Sequence, residues 1–317
     1  MRGIRVAVLG AGAVGSYFGA MLARGGSPVT LIGREAHVDA IRGDGLLIER
    51  AGGTERVEVG ATTSVRDVAD ANLVLLCAKT PDTEEAARAA AVHLAADALV
   101  LSLQNGVDNV DRIYATTGIT AAAAAVYVAA DLVAPGRVRH GGRGDLVIGT
   151  VPDRPLPANT DRPQLPDIAM QFERCGVSCR IVPDIRADLW VKMIMNCAYN
   201  ALSAIARVQY GELIANAEMR ELMMKVVGEV VAVARASGVQ LSQEDFSHSV
   251  MELGRSMPTA TSSTAQDLAR GRRTEIDALN GFIARQGESL GVAVPYNRTL
   301  HTLVKLLERR GSGPTPA

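Results

Sequence analysis

The hexapeptide Gly10-Ala11-Gly12-Ala13-Val14-Gly15 follows directly on the aliphatic run Ile4 to Leu9 and opens a helix-compatible stretch, Gly15 to Arg24. No other feature restricts the fold as tightly. Glycines at this spacing, between a strand and a helix, suit a turn that receives a dinucleotide. Gly10 permits the tight turn, Gly12 lets backbone approach a pyrophosphate, and Gly15 lets helix and strand pack closely. The helix N-terminus adds free N–H groups and a partial positive charge. A glycine-rich turn with no ligand is the plainer alternative, and the strand-turn-helix context weighs against it.

The rest of the first half keeps the same rhythm. Val29 to Ile32, Leu73 to Cys77 and Leu99 to Leu103 are short aliphatic runs ending in turn or polar residues, as buried parallel strands do. Helical stretches such as Thr83 to Leu94 lie between them, and this alternation predicts right-handed crossovers. Ala121 to Val128, Val138 to His140 and Leu146 to Ile148 add strands at the far side. A proline-rich surface loop, Val151 to Pro166, then leads to a helix (Asp167 to Arg174) and a strand (Val177 to Val182). After Asp184 the pattern turns helical: Asp184 to Ala206, Asn216 to Ser237, Gln243 to Glu252, Ser263 to Leu290 and Tyr296 to Arg309. The expected fold is α/β: an N-terminal Rossmann-type doubly wound sheet (1–183), an all-helical C-terminal domain (184–310) and a flexible tail (311–317). The active cleft is expected between the domains.

Composition narrows the function classes. A net charge of −1 over 317 residues leaves no broad basic field, which argues against nucleic acid or an anionic membrane surface as partner. No apolar stretch reaches the ~18 residues of a membrane helix. Cys77, Cys175, Cys179 and Cys197 form no CxxC pair and lack histidines at zinc-ligand spacing, so reduced thiols and no metal site are expected. Together these point to a cytoplasmic protein acting on a small molecule, with a homodimer left open.

Arg34 bears on the choice of cofactor. The second strand ends Leu31-Ile32-Gly33-Arg34, where a dinucleotide enzyme using NADH carries an acidic residue for the ribose hydroxyl. A guanidinium suits a 2′-phosphate instead, which predicts NADPH, although the neighbouring Glu35 could take a hydroxyl. In the second half, Lys192, Asn196 and Asn200 follow one another every fourth residue, within a sector of about 80° on a helix, and Ser203 returns to it. Apolar Met193, Ile194, Ala198 and Leu202 flank this stripe. Asparagine is a poor helix former, so its recurrence needs a purpose beyond a solvated face. Trp190, the only tryptophan, lies two residues before Lys192 and is expected to report on the cleft through its emission.

Four patterns taken together resemble the ketopantoate reductase (2-dehydropantoate 2-reductase) family: the glycine turn; Cys77-Ala78-Lys79-Thr80; Gln104-Asn105-Gly106-Val107; and Trp190-Val191-Lys192 with Asn196 and Asn200, joined by Thr274-Glu275-Ile276-Asp277 and Asn280-Gly281. The resemblance implies NADPH-dependent reduction of ketopantoate to (R)-pantoate, the pantothenate and coenzyme A pathway step. It implies Lys192 as general acid and Glu275 as its partner, approaching from a later helix. It assigns Gly10 to Gly15, Arg34, Lys79 and Asn105 to the cofactor, and Asn105, Lys192, Asn196, Asn200, Ser263 and Glu275 to the substrate. The residues alone leave other roles open: a surface lysine for Lys79, a simple turn for Asn105-Gly106, a helix N-cap for Ser263.

The chain departs from the family pattern at Ala260 and Tyr210, where asparagine can occur, and at Ala201, where proline can. These changes bear on which 2-oxo acid is reduced and leave the lysine and glutamate in place. The rival readings are a reductase of another small 2-oxo acid, a 3-hydroxyacid-dehydrogenase-like oxidoreductase, and a nucleotide-sensing protein without catalysis.

Overall fold

The computed structural model describes residues 3–157, 163–242 and 246–311. The chain divides into two compact units, residues 1–185 and 186–317. The first unit runs β1 (Val6–Leu9), α1 (Ala13–Arg24), β2 (Val29–Ile32), α2 (Glu35–Asp44), β3 (Leu46–Arg50), β4 (Gly53–Val57), β5 (Gly60–Thr62), β6 (Leu73–Leu76), α3 (Thr83–Ala91), β7 (Leu99–Ser102), α4 (Asn109–Thr117), β8 (Ala122–Ala134), β9 (Arg137–Gly149), α5 (Leu165–Arg174) and β10 (Cys179–Val182).

Among the described residues ten strands share one sheet, ordered β4-β3-β9-β8-β7-β6-β1-β2-β5, with β10 beside β9. The stretch from β5 to β8 is parallel throughout. Its order reverses between β1, which leads out to β2, and β6, which leads out the other way. In a doubly wound sheet that reversal opens a crevice at the strands' C-terminal ends. β1, β6 and β7 are buried along their whole length, which is why they read as unbroken aliphatic runs. Helix α1 buries Tyr17, Phe18, Met21 and Leu22 against the sheet, and Phe18 meets Phe172 of α5 edge to face at 6.0 Å.

One local expectation fails here, and three strands go unread in the sequence, for identifiable reasons. The runs Val138 to His140 and Leu146 to Ile148 belong to one strand, β9, antiparallel to β8 with register shifts at Tyr127/Val128 and Ala129/Ala130. The glycines between them are bulge residues of a continuous strand: Gly142 and Gly144 take φ of +138° and +149°. The hairpin β3–β4 and the three-residue β5 give little periodicity, because β4 is polar and mostly exposed. Residues 158–162 of the proline-rich loop, residues 243–245 and the tail from 312 onward lie outside the described residues.

The second unit contains α6 (Arg186–Ala206), α7 (Tyr210–Ala215), α8 (Ala217–Ala236), α9 (Phe246–Ser256), α10 (Ser263–Ala269), α11 (Asn280–Leu290) and α12 (Pro295–Gly311). Helix α6 packs against α8, α10 and α12. The single helix expected over Ser263 to Leu290 is in fact two. Gly271 takes φ +60°, and the Arg272 N–H reaches back to the Asp267 carbonyl at 2.8 Å, closing α10 with a glycine C-cap. The chain then runs without helical structure to a 3₁₀ turn over Ile276–Ala278 before α11 begins. Glu275 therefore stands on a turn and not on a helix.

Candidate active site

In the first unit, the expected cofactor residues gather at the C-terminal ends of the parallel strands. Gly10 takes φ +104°, and a β-carbon there would lie 2.4 Å from the Ala78 nitrogen. The turn after β1 is thus pressed against the turn after β6, which carries Lys79. A β-carbon on Gly15 would sit 2.4 Å from the Gly10 carbonyl oxygen and 2.8 Å from Val8 Cγ1, so helix and strand touch there. Gly12 differs, because nothing lies within 4 Å of where its β-carbon would point. The N-terminus of α1 has no side-chain cap and no acidic residue in its first turn. Open space above the uncapped amides of Ala13 and Val14, beside Gly12, is what a pyrophosphate requires; the Ala11 N–H is instead spent on the Ile32 carbonyl at 3.0 Å. These residues fit a dinucleotide.

Arg34 is exposed and stands at the N-cap position of α2, two residues after β2 ends. Three residues on, buried His37 ties this corner together. Its Nδ1 accepts the Gly136 N–H at 2.9 Å, and its Nε2 lies 3.1 Å from the Ser16 hydroxyl of α1. An Nδ1 that accepts leaves the proton on Nε2, so the ring is neutral here. Burial first, and the charge of Arg34 second, push its pKa below the usual histidine value. Helices α1 and α2 are therefore joined through one imidazole. The sequence reading missed His37, since a histidine inside a helix carries no signal of its own.

Lys79 and Asn105 are held by a second network. Gln104 Nε2 donates to the Ala78 carbonyl at 2.9 Å and to Thr83 Oγ1 at 2.8 Å. The Thr83 hydrogen is shared between the Thr80 carbonyl and Asn109 Oδ1, 2.8 and 2.9 Å away. The Thr80 hydroxyl and Asn109 Nδ2 both donate to the Asn105 carbonyl, at 2.6 and 2.7 Å. The turns after β6 and β7 are locked to each other, and with them the backbones of Lys79 and Asn105. Gly106 adopts φ +107°, so Asn105-Gly106 is also a genuine turn.

In the second unit the polar stripe of α6 divides by depth. Lys192 and Asn196 are half-buried, whereas Asn200 is only 3% exposed and Ser203 is fully buried. Ser203 serves as a local anchor, donating to the Val208 carbonyl at 2.9 Å. Helix α10 is pinned beside Asn200, because the Ser262 hydroxyl donates to the Asn200 carbonyl at 3.0 Å. Ser262 also caps α10 by accepting the Ala265 N–H at 3.1 Å. The capping role considered for Ser263 thus falls to its neighbour, and Ser263 is exposed at the first position of α10. Asn280, buried on α11, donates to the Cys197 carbonyl at 3.4 Å, one residue from Asn196.

Trp190 is 4% exposed and packs edge to face on Phe282 at 6.0 Å. Two helical residues amount to about 200° of rotation, so it points away from the face of Lys192. Two of the three departures from the family pattern lie together: the Tyr210 N–H donates to the Ala260 carbonyl at 3.0 Å, and the Tyr210 ring lies 4.3 Å from that of Tyr199. Among the described residues no cluster of histidine, cysteine, aspartate or glutamate could hold a metal ion, and no helix is long and apolar enough to cross a membrane.

Two family models match this chain, "Ketopantoate reductase PanE/ApbA" over residues 6–153 and its C-terminal counterpart over residues 184–308. A Halobacterium salinarum protein named 2-dehydropantoate 2-reductase is 36% identical, covering 97% of this chain and 100% of its own. Among solved structures, a PanE/ApbA family ketopantoate reductase from Ralstonia eutropha JMP134 is 46% identical, with a TM-score of 0.88 over 98% of this chain and 100% of its own. A D-mandelate dehydrogenase in ternary complex with NADH and anilino(oxo)acetate is 26% identical, with a TM-score of 0.87 over 98% and 100%. With a doubly wound parallel sheet, a helical second unit and both family models matched, the chain belongs to the ketopantoate reductase family, NADPH-using oxidoreductases that act on a CH–OH group.

Proposed function

We propose that this chain reduces 2-dehydropantoate (ketopantoate) to pantoate and prefers NADPH to NADH. The observation that carries the reading is the pair of complementary half-sites on one chain. The first unit has an open glycine cradle with Arg34 at the end of the next strand, and the second has Lys192 and Asn196 on the half-buried part of a polar helix face. The relatives named 2-dehydropantoate 2-reductase, matched over nearly their whole length, support the substrate.

Bound NADPH supplies the hydride that C2 of the 2-oxo acid receives. In this reading Arg34 pairs with the 2′-phosphate, while Lys79 and Asn105 hold the nicotinamide end from their locked turns. The Lys192 ammonium donates to the keto oxygen and gives it a proton as negative charge builds there. Asn196 contributes a neutral donor, and the more deeply buried Asn200 forms the floor beside it. Ser263 offers its hydroxyl to the substrate carboxylate, and Glu275 accepts from the substrate or from Lys192. Residues 1–183 then serve the cofactor and 184–310 the substrate and the proton transfer.

A specific observation favours a second reading, a different 2-oxo acid on the same residues. Tyr210 and Ala260 together stand where the family pattern can carry asparagine, and Tyr210 packs at a tilt against Tyr199. The similarity to a D-mandelate dehydrogenase points the same way. Initial rates of NADPH oxidation with ketopantoate, 2-oxobutanoate and phenylglyoxylate, each repeated with NADH, separate the two. The proposal expects the highest kcat/KM with ketopantoate and NADPH. A clear preference for phenylglyoxylate would transfer the assignment to the second reading, and no oxidation with any of them would remove both.

A further inference from the structure

Glu275 has no helix to hold it. It takes φ −96° and ψ 18° at the start of an isolated 3₁₀ turn, after a non-helical stretch that begins at Gly271. The backbone that carries a carboxylate on such a segment is placed as well as the residues around it are anchored. Thr274, one residue before it, and Asp277, two after it, are both anchored, and to the same face of α12. On one side, the Thr274 N–H and hydroxyl donate to Glu308 Oε1, at 2.8 and 2.5 Å. The Thr274 oxygen then accepts the Ile276 N–H at 3.2 Å, drawing the backbone around Glu275. On the other side, the Asp277 carboxylate takes His301 Nε2 at 2.7 Å and Lys305 Nζ at 2.9 Å. Lys305 closes the circuit by pairing with Glu308 Oε2 at 2.6 Å. His301, Lys305 and Glu308 are spaced four and three residues apart, one stripe of a helix.

These groups are more than surface ion pairs. Thr274 and Ile276 are fully buried, and the Glu308 side chain is only 11% exposed. Burial works against the Glu308 charge, yet Lys305 and the two donors of Thr274 hold its pKa below the usual carboxylate range. Arg285 adds a bond to the Asp277 carbonyl at 2.9 Å. Four side chains thus fix the residue before Glu275 and the residue two after it.

We propose that Thr274, Asp277 and the His301–Lys305–Glu308 stripe of α12 form a clamp that positions the Glu275 carboxylate for the reaction. The inference rests on the reading of Glu275 given under the proposed function. Its members are positioning residues: they touch neither substrate nor cofactor, and act through the backbone on either side of Glu275.

A double-mutant cycle tests it, read as kcat and KM for ketopantoate or the preferred 2-oxo acid, with NADPH affinity as control. Glu275→Gln alone tests the underlying reading, and full activity there would remove Glu275 from the reaction and the clamp with it. Glu308→Ala alone should lower kcat/KM by about tenfold or more, and leave the Kd for NADPH within about twofold. In the Glu275→Gln background the same Glu308→Ala change should cost no more than about twofold further, because the device it disturbs has nothing left to position. Losses that multiply would overturn the clamp while leaving Glu275 in place. Should Glu308→Ala fold poorly, Thr274→Val and Thr274→Ser carry the cycle. Serine keeps the hydroxyl and should stay within about threefold of wild type; valine, of equal size, should follow Glu308→Ala. Equal activity of the two Thr274 variants would overturn the proposal.

Discussion

Replacing Glu229 by alanine should unfold the helical unit more readily than any comparable change on its surface. Glu229 is 9% exposed on α8 and receives three donors from the start of α12: the N–H groups of Tyr296 and Asn297, both at 2.9 Å, and Asn297 Nδ2 at 2.8 Å. It caps a helix whose first residue, Pro295, has no N–H to give. Asn297 is fully buried and also accepts from Asn280 Nδ2 at 2.9 Å, which leads on to the Cys197 carbonyl of α6. Hydrogen bonds to a charged group contribute about 1.5–3 kcal/mol each, and a buried donor left alone costs about 1–3 kcal/mol. Water entering the space recovers part of this, so the loss should be about 3–5 kcal/mol, against about 5–15 kcal/mol for a whole domain. Glutamine keeps an acceptor but turns one N–H₂ toward other donors, and should lose about half as much. The assay is urea unfolding followed by the emission of Trp190, the sole tryptophan, whose burial against Phe282 makes it a probe of this unit. A Glu229→Ala midpoint equivalent to less than about 1 kcal/mol of destabilisation would refute the capping argument.

Arg34→Ala should weaken NADPH binding by about tenfold or more and leave NADH almost untouched, measured by titrating each cofactor. Lys192→Ala should cut kcat by about 10²–10⁴ with NADPH affinity retained, and the alkaline limb of the kcat/KM profile should disappear with it. Ser262→Ala should cost about 1 kcal/mol of stability through the lost N-cap. Ser263→Ala should leave stability alone and raise KM, so a reversed pattern would exchange the roles assigned to the two serines. Asp277 is held well below the usual carboxylate range, chiefly by the His301 hydrogen bond and then by Lys305, with burial opposing. A folded pKa below the unfolded one means its contribution is present above about pH 4 and is lost as the pH falls further. The stability gap between wild type and Asp277→Asn should therefore be flat above about pH 5 and shrink in acid, which thermal melts across that range would show.

The parts of this fold that could be read from sequence are those where one physical demand acts on every residue of a segment. β1, β6 and β7 are buried on both faces, so each is an aliphatic run, and the glycine turn after β1 is constrained by a positive φ and by contact with Ala78. Where demands compete, the pattern fades. β9 is interrupted by bulge glycines that imitate a loop. β4 is an exposed edge strand in which few side chains need be apolar.

The site divides in the same manner. Spacing along α6 placed Lys192, Asn196 and Asn200 on one face, because helical geometry is regular, but it could not give their depth. That depends on which neighbours cover the later turns: α10 pinned to Asn200 by Ser262, and the loop around Val208 drawn in by Ser203. Glu275 shows the limit more sharply. The apolar and polar pattern from Ser263 to Leu290 is compatible with one long helix, and a single glycine at position 271 decides otherwise. Once the helix breaks, the position of the glutamate is set by residues some 30 positions further along, Glu308 above all, whose partner Thr274 cannot be inferred from any local spacing. A turn residue borrows its rigidity from elsewhere in the chain, and the donors that lend it look, in sequence, like an ordinary charged helix face.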